Sequence, residues 1–494
     1  MTTMTRRRTV ERKWVVLPGS RGRRSVPALI GLWLLVIFGG VVPVAVIQLT
    51  PVSRPGWVVA ALISAASAAR FSWLVGNGDR RLFETTFWVF VYSFLGLAPL
   101  VQMRLGDWPS TTPNGDWALV PTAFIVVVVG CLAFCVGVYG GTLATAGGRL
   151  RERLTPTKPR KPADRRVLVG FAVFALLANL YYLSTSTWLQ FTQSRYSETE
   201  SLAQAQTSAS SSTIFQAVAG ASLLVSFVSL AQDRRVRRRL GIPETSRARF
   251  VSITLMVVVG LSLLNTLNPV SNARYVSATA ILGAATALGL VQTRGRYRGM
   301  AIAMITGILF VFPFMDAFRY SLTPQFKSNG LIDSLSSPDF DAFAQISNAI
   351  LYVHREGVAP LQFVGVLGFW MPRRIWPDKP VDTGILLAQE RGYMFKNLSA
   401  PLWSEFFVNG GWIYLIAGML VVGFVVRCLD RRIEFDLQVR DSIGVLSCIL
   451  PFYFLILLRG SLLQATSFFA LLLVFTFVVS RRFGGASPPG RSAT

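Results

Sequence analysis

The chain has 494 residues, 52% of them hydrophobic, with a mean hydropathy of +0.49. That is too apolar for a soluble multidomain protein and fits a polytopic membrane protein. A formal charge of +25 would suggest nucleic acid in a soluble chain, but here the placement of the cations decides the matter.

The arginine-rich start TRRRTVERKW, within residues 1–25, reads as a cytoplasmic basic terminus. The apolar run behind it has no convincing small-residue cleavage site and reads as a retained signal anchor. Runs of about 18 to 24 residues, long enough to cross a bilayer, begin near Val26, Gly56, Leu82, Trp117, Val167, Thr213, Phe250, Arg274 and Gly299. These occupy residues 26–318, and three more, near Gly410, Ser442 and Leu462, occupy 410–480. The expectation is an all-α polytopic transmembrane bundle of about twelve spans.

If the N-terminus is cytoplasmic, the connectors 77–81, 147–166, 233–249, 294–298 and 427–440 and the disordered tail 481–494 share its side. Roughly 35 Lys and Arg residues then lie inside and about 13 outside, as the positive-inside rule requires, with Arg70 within a span. Topology and anionic membrane lipid account for the basicity, and no nucleic-acid partner is needed.

Cys131 and Cys135 lie one turn apart in the fourth expected span, and none of the four cysteines forms a CxxC pair. All four read as small apolar packing residues. A single histidine excludes a zinc-type cluster, so no metal and no cofactor is expected.

Residues 319–409 form one large outer loop where ordinary connectors run below about fifteen residues. In SPDFDAFAQISNAILYV, Phe340, Phe343, Ile346 and Ile350 recur at helical spacing, which predicts an amphipathic helix capped by Ser337 or Asp339. VAPLQFVGVLGFWM is too short to span and reads as a re-entrant or interfacial piece. GFWMPRRIWPDKPVDTG follows, a strap stiffened by Pro372, Pro377 and Pro380 at the rim of a cavity.

The costly cations on this side are Arg274 at a span start, Arg319 at a span end and Arg459 in a tight hairpin, joined by Arg373 and Arg374 in the strap. Guanidinium forks gathered near a membrane surface suit a polyanion such as a lipid-linked pyrophosphate. For each residue taken singly, snorkelling to headgroups explains the position equally well. Glu405 in LWSEFFVNGGW is the first candidate for a general base, since partial desolvation raises a carboxyl pKa, and His354 is the second. Asp316, three residues before Arg319, reads as its ion-pair partner. Trp376, Trp403 and Tyr393 offer ring faces for sugars, although an interfacial aromatic belt accounts for them too.

LGFWMPRRIWPDKPVDTG followed by SAPLWSEFFVNGGWIYLIAGM resembles the signature of bacterial oligosaccharide repeat-unit polymerases of the Wzy type. The likeness falls on Pro372, Arg373, Trp376, Pro377, Lys379 and Pro380, then on Glu405, Asn409 and Gly410, and covers about forty residues. It implies a metal-independent glycosyltransferase in the bacterial cytoplasmic membrane, with both termini cytoplasmic. This enzyme would join O-antigen, capsule or exopolysaccharide repeat units on polyprenyl (undecaprenyl) pyrophosphate at the outer face. Arg274, Arg319, Arg459 and Lys379 would hold pyrophosphate, with Arg373 and Arg374 beside them, and Asn409 would join the aromatics on the glycan. The implied partners are the lipid-linked oligosaccharide, a chain-length regulator and a flippase of the same pathway. Two alternatives stand: an O-antigen ligase-like transferase using the same donor, and a flippase, which predicts internal repeats and charges near mid-membrane.

Overall fold

The computed structural model describes residues 25–52, 54–155, 160–185, 188, 209–270, 272–312 and 330–480. Arg319 and Asp316 lie outside them, as do both termini and the serine-rich loop 189–208. Every element among the described residues is helical.

Among the described residues, nine helices are long and apolar enough to cross a membrane. They are α1 (Val26–Leu49), α2 (Trp57–Asn77), α3 (Leu82–Leu105), α4 (Trp117–Ala146), α5 (Arg165–Ser184), α6 (Thr213–Arg239), α7 (Ser246–Thr266), α13 (Leu402–Arg440) and α15 (Leu462–Ser480). Between α7 and α13 come α8 (Arg274–Ala287), α9 (Arg294–Thr306, prolonged by a π turn over Gly307–Val311), α10 (Ala342–Glu356), α11 (Leu361–Leu367) and α12 (Thr383–Glu390). The last short helix is α14 (Val445–Arg459).

Of the three expected spans not among these nine, α8 and α14 are short, and α9 runs from Arg294 to the limit of the described residues. At 1.5 Å per residue, the 14 residues of α8 and 15 of α14 cover about 21 to 22 Å, against roughly 30 Å of hydrocarbon. Apolar composition continued past the point where geometry stops each helix: Gly289 at φ 107° ends the α8 region, and Gly460 closes α14.

α3 is buried along its whole spanning length and forms the centre of the bundle. α13 packs along α4, α6 along α5, and α8 along α14. The α4–α13 approach depends on small residues, because a Cβ at Gly137 would collide with the Leu420 carbonyl and one at Gly423 with that of Phe134.

The basic connectors meet at one end of the bundle. Arg80 donates to the Gln292 carbonyl at 2.7 Å, Arg298 to that of Gly76 at 2.6 Å, Arg237 to that of Ala163 at 2.9 Å and Arg432 to that of Leu154 at 2.6 Å. At this basic end Asp430, fully buried, caps α3 by accepting from the Phe83 and Glu84 amides at 2.9 and 3.0 Å.

The large loop packs over the other end. α10 carries Phe343, Ile346 and Ile350 inward against α4 and α13, and Phe340, in the turn just before it, stacks on Phe94 of α3; all four are buried. It starts later than its sequence cue, with Asp341 at the N-cap position, and neither Ser337 nor Asp339 caps it. The expected re-entrant piece is the seven-residue α11, whose Leu361, Val364 and Leu367 face outward together with Trp370 and Ile375. An apolar edge of this kind suits the interface plane better than a re-entrant path.

Candidate functional site

α8 and α14 are neighbours whose other ends lie among the basic connectors: Arg235 donates to the Ala287 carbonyl, and Arg160 reaches the Ile443 carbonyl before α14. Arg274, the first residue of α8, and Arg459, the last of α14, therefore share the opposite end. Arg459 sits where the helix dipole favours a cation, whereas Arg274 sits where the dipole opposes one and needs an acid beside it.

Asp339 supplies that acid. Its Oδ2 lies 3.0 Å from Arg274 Nη1, which also donates to the Phe312 carbonyl at 2.7 Å. Arg459 donates through Nε to the Asp339 carbonyl at 3.0 Å, reaches Asp341 Oδ1 at 3.5 Å and lies over the Tyr275 ring at 5.5 Å. Two guanidiniums, two carboxylates and a tyrosine thus meet, although three separate segments carry them. Phe94, Tyr275, Phe312 and Phe340 wall a hollow of about 20 Å³ between them, room for about one water. Asp341 also accepts from the Ser399 amide and from Gln345 Nε2, both at 3.3 Å. Burial pushes its carboxyl above the usual aspartate value, against the pull of Arg459.

Glu405 stands beside the same turn. Its Oε1 accepts from the Leu462 amide and its Oε2 from the Thr383 hydroxyl, each at 2.8 Å. The residue is fully buried, and no cation among the described residues lies within salt-bridge distance. The Ser461 hydroxyl is close to both Glu405 and Asp382, without a well-aligned hydrogen bond to either. Glu405 therefore links α12 to the Gly460–Leu462 turn that ends α14, and it holds Arg459 in place from behind.

The strap is folded by its own cations. Lys379 donates to the carbonyls of Phe369 at 2.6 Å and Met371 at 3.1 Å, and Arg373 to that of Lys379 at 2.8 Å. Trp376 packs on Gly368, and Pro380 on Gly365. Arg374 is exposed and has no partner among the described residues.

No family model, no curated protein and no solved structure matches this chain.

Among the sequence candidates, Arg274 and Arg459 come together. Arg373, Arg374 and Lys379 do not line their hollow, because strap carbonyls occupy two of the three and the third points to solvent. His354 is exposed at the end of α10, away from every residue of the hollow in the contacts above. Glu405 has no surface for a sugar hydroxyl.

Three of the four expected glycan residues are interior. Trp403 is fully buried, stacked near Phe87 at 5.7 Å and Phe90 at 5.9 Å, with its indole N–H donating to the Val127 carbonyl. Tyr393 packs with Ala388 and Leu398 under the Arg391 guanidinium. Asn409 accepts from the Phe363 amide at 2.9 Å and donates to the Glu405 carbonyl at 2.8 Å, joining α11 to α13. Trp376 alone keeps a partly exposed ring.

Tyr275, Asp339 and Asp341 were missed as site residues. The available signal was the DFD spacing of two acids at the head of a buried helix, which reads just as well as a helix cap. Among the described residues no group of three or more His, Cys, Asp or Glu side chains could hold a metal ion.

Proposed function

We propose that this protein is a glycosyltransferase that polymerises oligosaccharide repeat units on polyprenyl pyrophosphate at the outer face of a bacterial cytoplasmic membrane. The chain would cross the membrane twelve times, counting α8, α9 and α14 as crossings, with the basic end cytoplasmic. The supporting observation is the convergence of Arg274 and Arg459 on Asp339 at the end of the bundle away from the basic connectors. The strap likeness to repeat-unit polymerases, from Pro372 to Pro380, points the same way.

In this reading the pyrophosphate of the growing chain replaces the Asp339 carboxylate on Arg274 and takes the second fork from Arg459. The tight hollow then opens by movement of the turn carrying Asp339. The acceptor hydroxyl oxygen attacks the anomeric carbon of the donor as the bond to pyrophosphate breaks. The bonding pair leaves with pyrophosphate, whose growing charge the two guanidiniums stabilise. The hydroxyl proton passes to Asp339, the partly exposed carboxylate released by the exchange. Glu405 acts as a positioning residue in this scheme.

Incubation of the purified protein with a polyprenyl-pyrophosphate repeat unit tests the reading. A ladder of product lengths is expected. One fixed transfer to a different acceptor would make the protein a ligase, and movement across a bilayer without bond formation would make it a flippase.

A further inference from the structure

A second charged cavity lies at the basic end. It has a volume of about 530 Å³, a size that takes a multi-atom ligand. Arg160, Arg235, Arg238, Arg239 and Arg440 line it, and Asp441 is the only acid among the lining residues. These arginines come from the linker ahead of α5, the end of α6 and the end of α13, so tertiary packing brings them together.

The cavity has fixed and free donors. Arg160 reaches the Ile443 carbonyl and lies 3.9 Å from Asp436 Oδ2, Arg440 lies 3.1 Å from Asp436 Oδ1, and Arg235 donates to the Ala287 carbonyl at 3.1 Å. Gly289, at φ 107°, lets the Arg235 guanidinium lie against the backbone, since a Cβ there would collide with it. Burial first, then repulsion from Arg440 and Arg432, pulls Arg160 below its usual pKa against the attraction of Asp436. Arg238 and Arg239 are exposed and have no partner among the described residues. Gathering five like charges around one hollow costs energy unless an anion offsets it, and planar guanidinium forks match phosphate oxygens two at a time.

We propose that this cavity binds a phosphate-bearing anion at the basic face, either the headgroup of an anionic lipid or a soluble phosphate ester. The site is separate from the hollow at Arg274 and Arg459 and does not depend on the reaction proposed there. Arg160, Arg235 and Arg440 form its floor, and Arg238 and Arg239 close on the ligand.

The test uses the full-length chain in nanodiscs of phosphatidylcholine. One arm adds phosphatidylglycerol to the disc, the other adds pyrophosphate in solution, and both read the thermal midpoint as a function of probe concentration. The wild type should rise in midpoint in at least one arm, and the responding arm identifies the source. Arg238→Gln with Arg239→Gln, both at exposed positions, should weaken that response by roughly ten-fold or more. Arg151→Gln with Arg153→Gln, on the same face but outside the cavity, should respond as the wild type does. Silence of the wild type in both arms overturns the proposal. So does an unaltered response of the Arg238 and Arg239 variant, or an equal loss in the Arg151 and Arg153 variant.

Discussion

Arg274 and Arg459 grip the same residue from two sides: the first pairs with the Asp339 carboxylate and the second donates to the Asp339 backbone carbonyl, both at 3.0 Å. The contact joins the start of one short helix to the end of its neighbour through a turn of the outer loop. It fixes both guanidiniums before any ligand arrives.

Removing either fork should therefore reduce chain growth per folded molecule, on top of the stability lost by leaving its carboxylate partner unpaired. Arg459→Ala is expected to lower turnover by about 10²- to 10³-fold, the usual effect of losing one donor aimed at developing charge. Arg459→Lys should restore little, because an ammonium lacks the planar fork that meets two phosphate oxygens side by side. Initial rates of ladder formation measure both, and near-wild-type rates for the lysine variant would show that a point charge suffices.

The two carboxylates should separate by role. Asp339→Asn is expected to lose roughly 10²- to 10⁴-fold as the proton acceptor. Glu405→Gln keeps an oxygen for the Leu462 amide and a group for Thr383, so it should lose about ten-fold or less. The reverse order of losses would return the base to Glu405.

Asp382 gives a pH signature. It caps α12 by accepting from the Gly384 amide at 2.8 Å, and burial pushes its carboxyl above the usual aspartate value. The folded state then holds its proton more tightly than the unfolded state. Stability from this group is full below the unfolded value of about 3.9 and falls as pH rises through the folded value. Asparagine caps as well and carries no charge. The midpoint of Asp382→Asn minus that of the wild type should therefore grow across this window and level off above it. A flat difference from pH 4 to neutral would refute the linkage.

Trp403 should behave as a core residue. Trp403→Ala is expected to cost about 3–5 kcal/mol in reversible unfolding. The apparent KM for the repeat unit should stay unchanged in whatever fraction remains folded. A raised KM with intact stability would restore it to the glycan site.

Gly411 breaks α13 at φ 58° and ψ −143°, next to Gly410. A side chain is strained there, so Gly411→Ala should cost roughly 1–3 kcal/mol. By moving the Leu402–Asn409 segment, it should also reduce activity beyond the loss of folded protein. Unchanged stability would mean that the break tolerates a Cβ.

Much of this molecule could be read along the chain. Hydropathy alone placed the nine long helices, because the cost of holding a residue in hydrocarbon is paid residue by residue. The arginine connectors marked the basic end, and the spacing of Phe343, Ile346 and Ile350 marked the buried face of α10. Tertiary structure alone decided which cations meet. Which short helices lie side by side depends on packing between segments far apart in sequence, and this placed Arg274 with Arg459 while turning Arg373 onto its own strap. It likewise put Trp403 in the interior and not at a rim, because a tryptophan at the head of a span has the same composition cue in either place, and only the Gly130 gap opposite it provides the pocket that receives the ring.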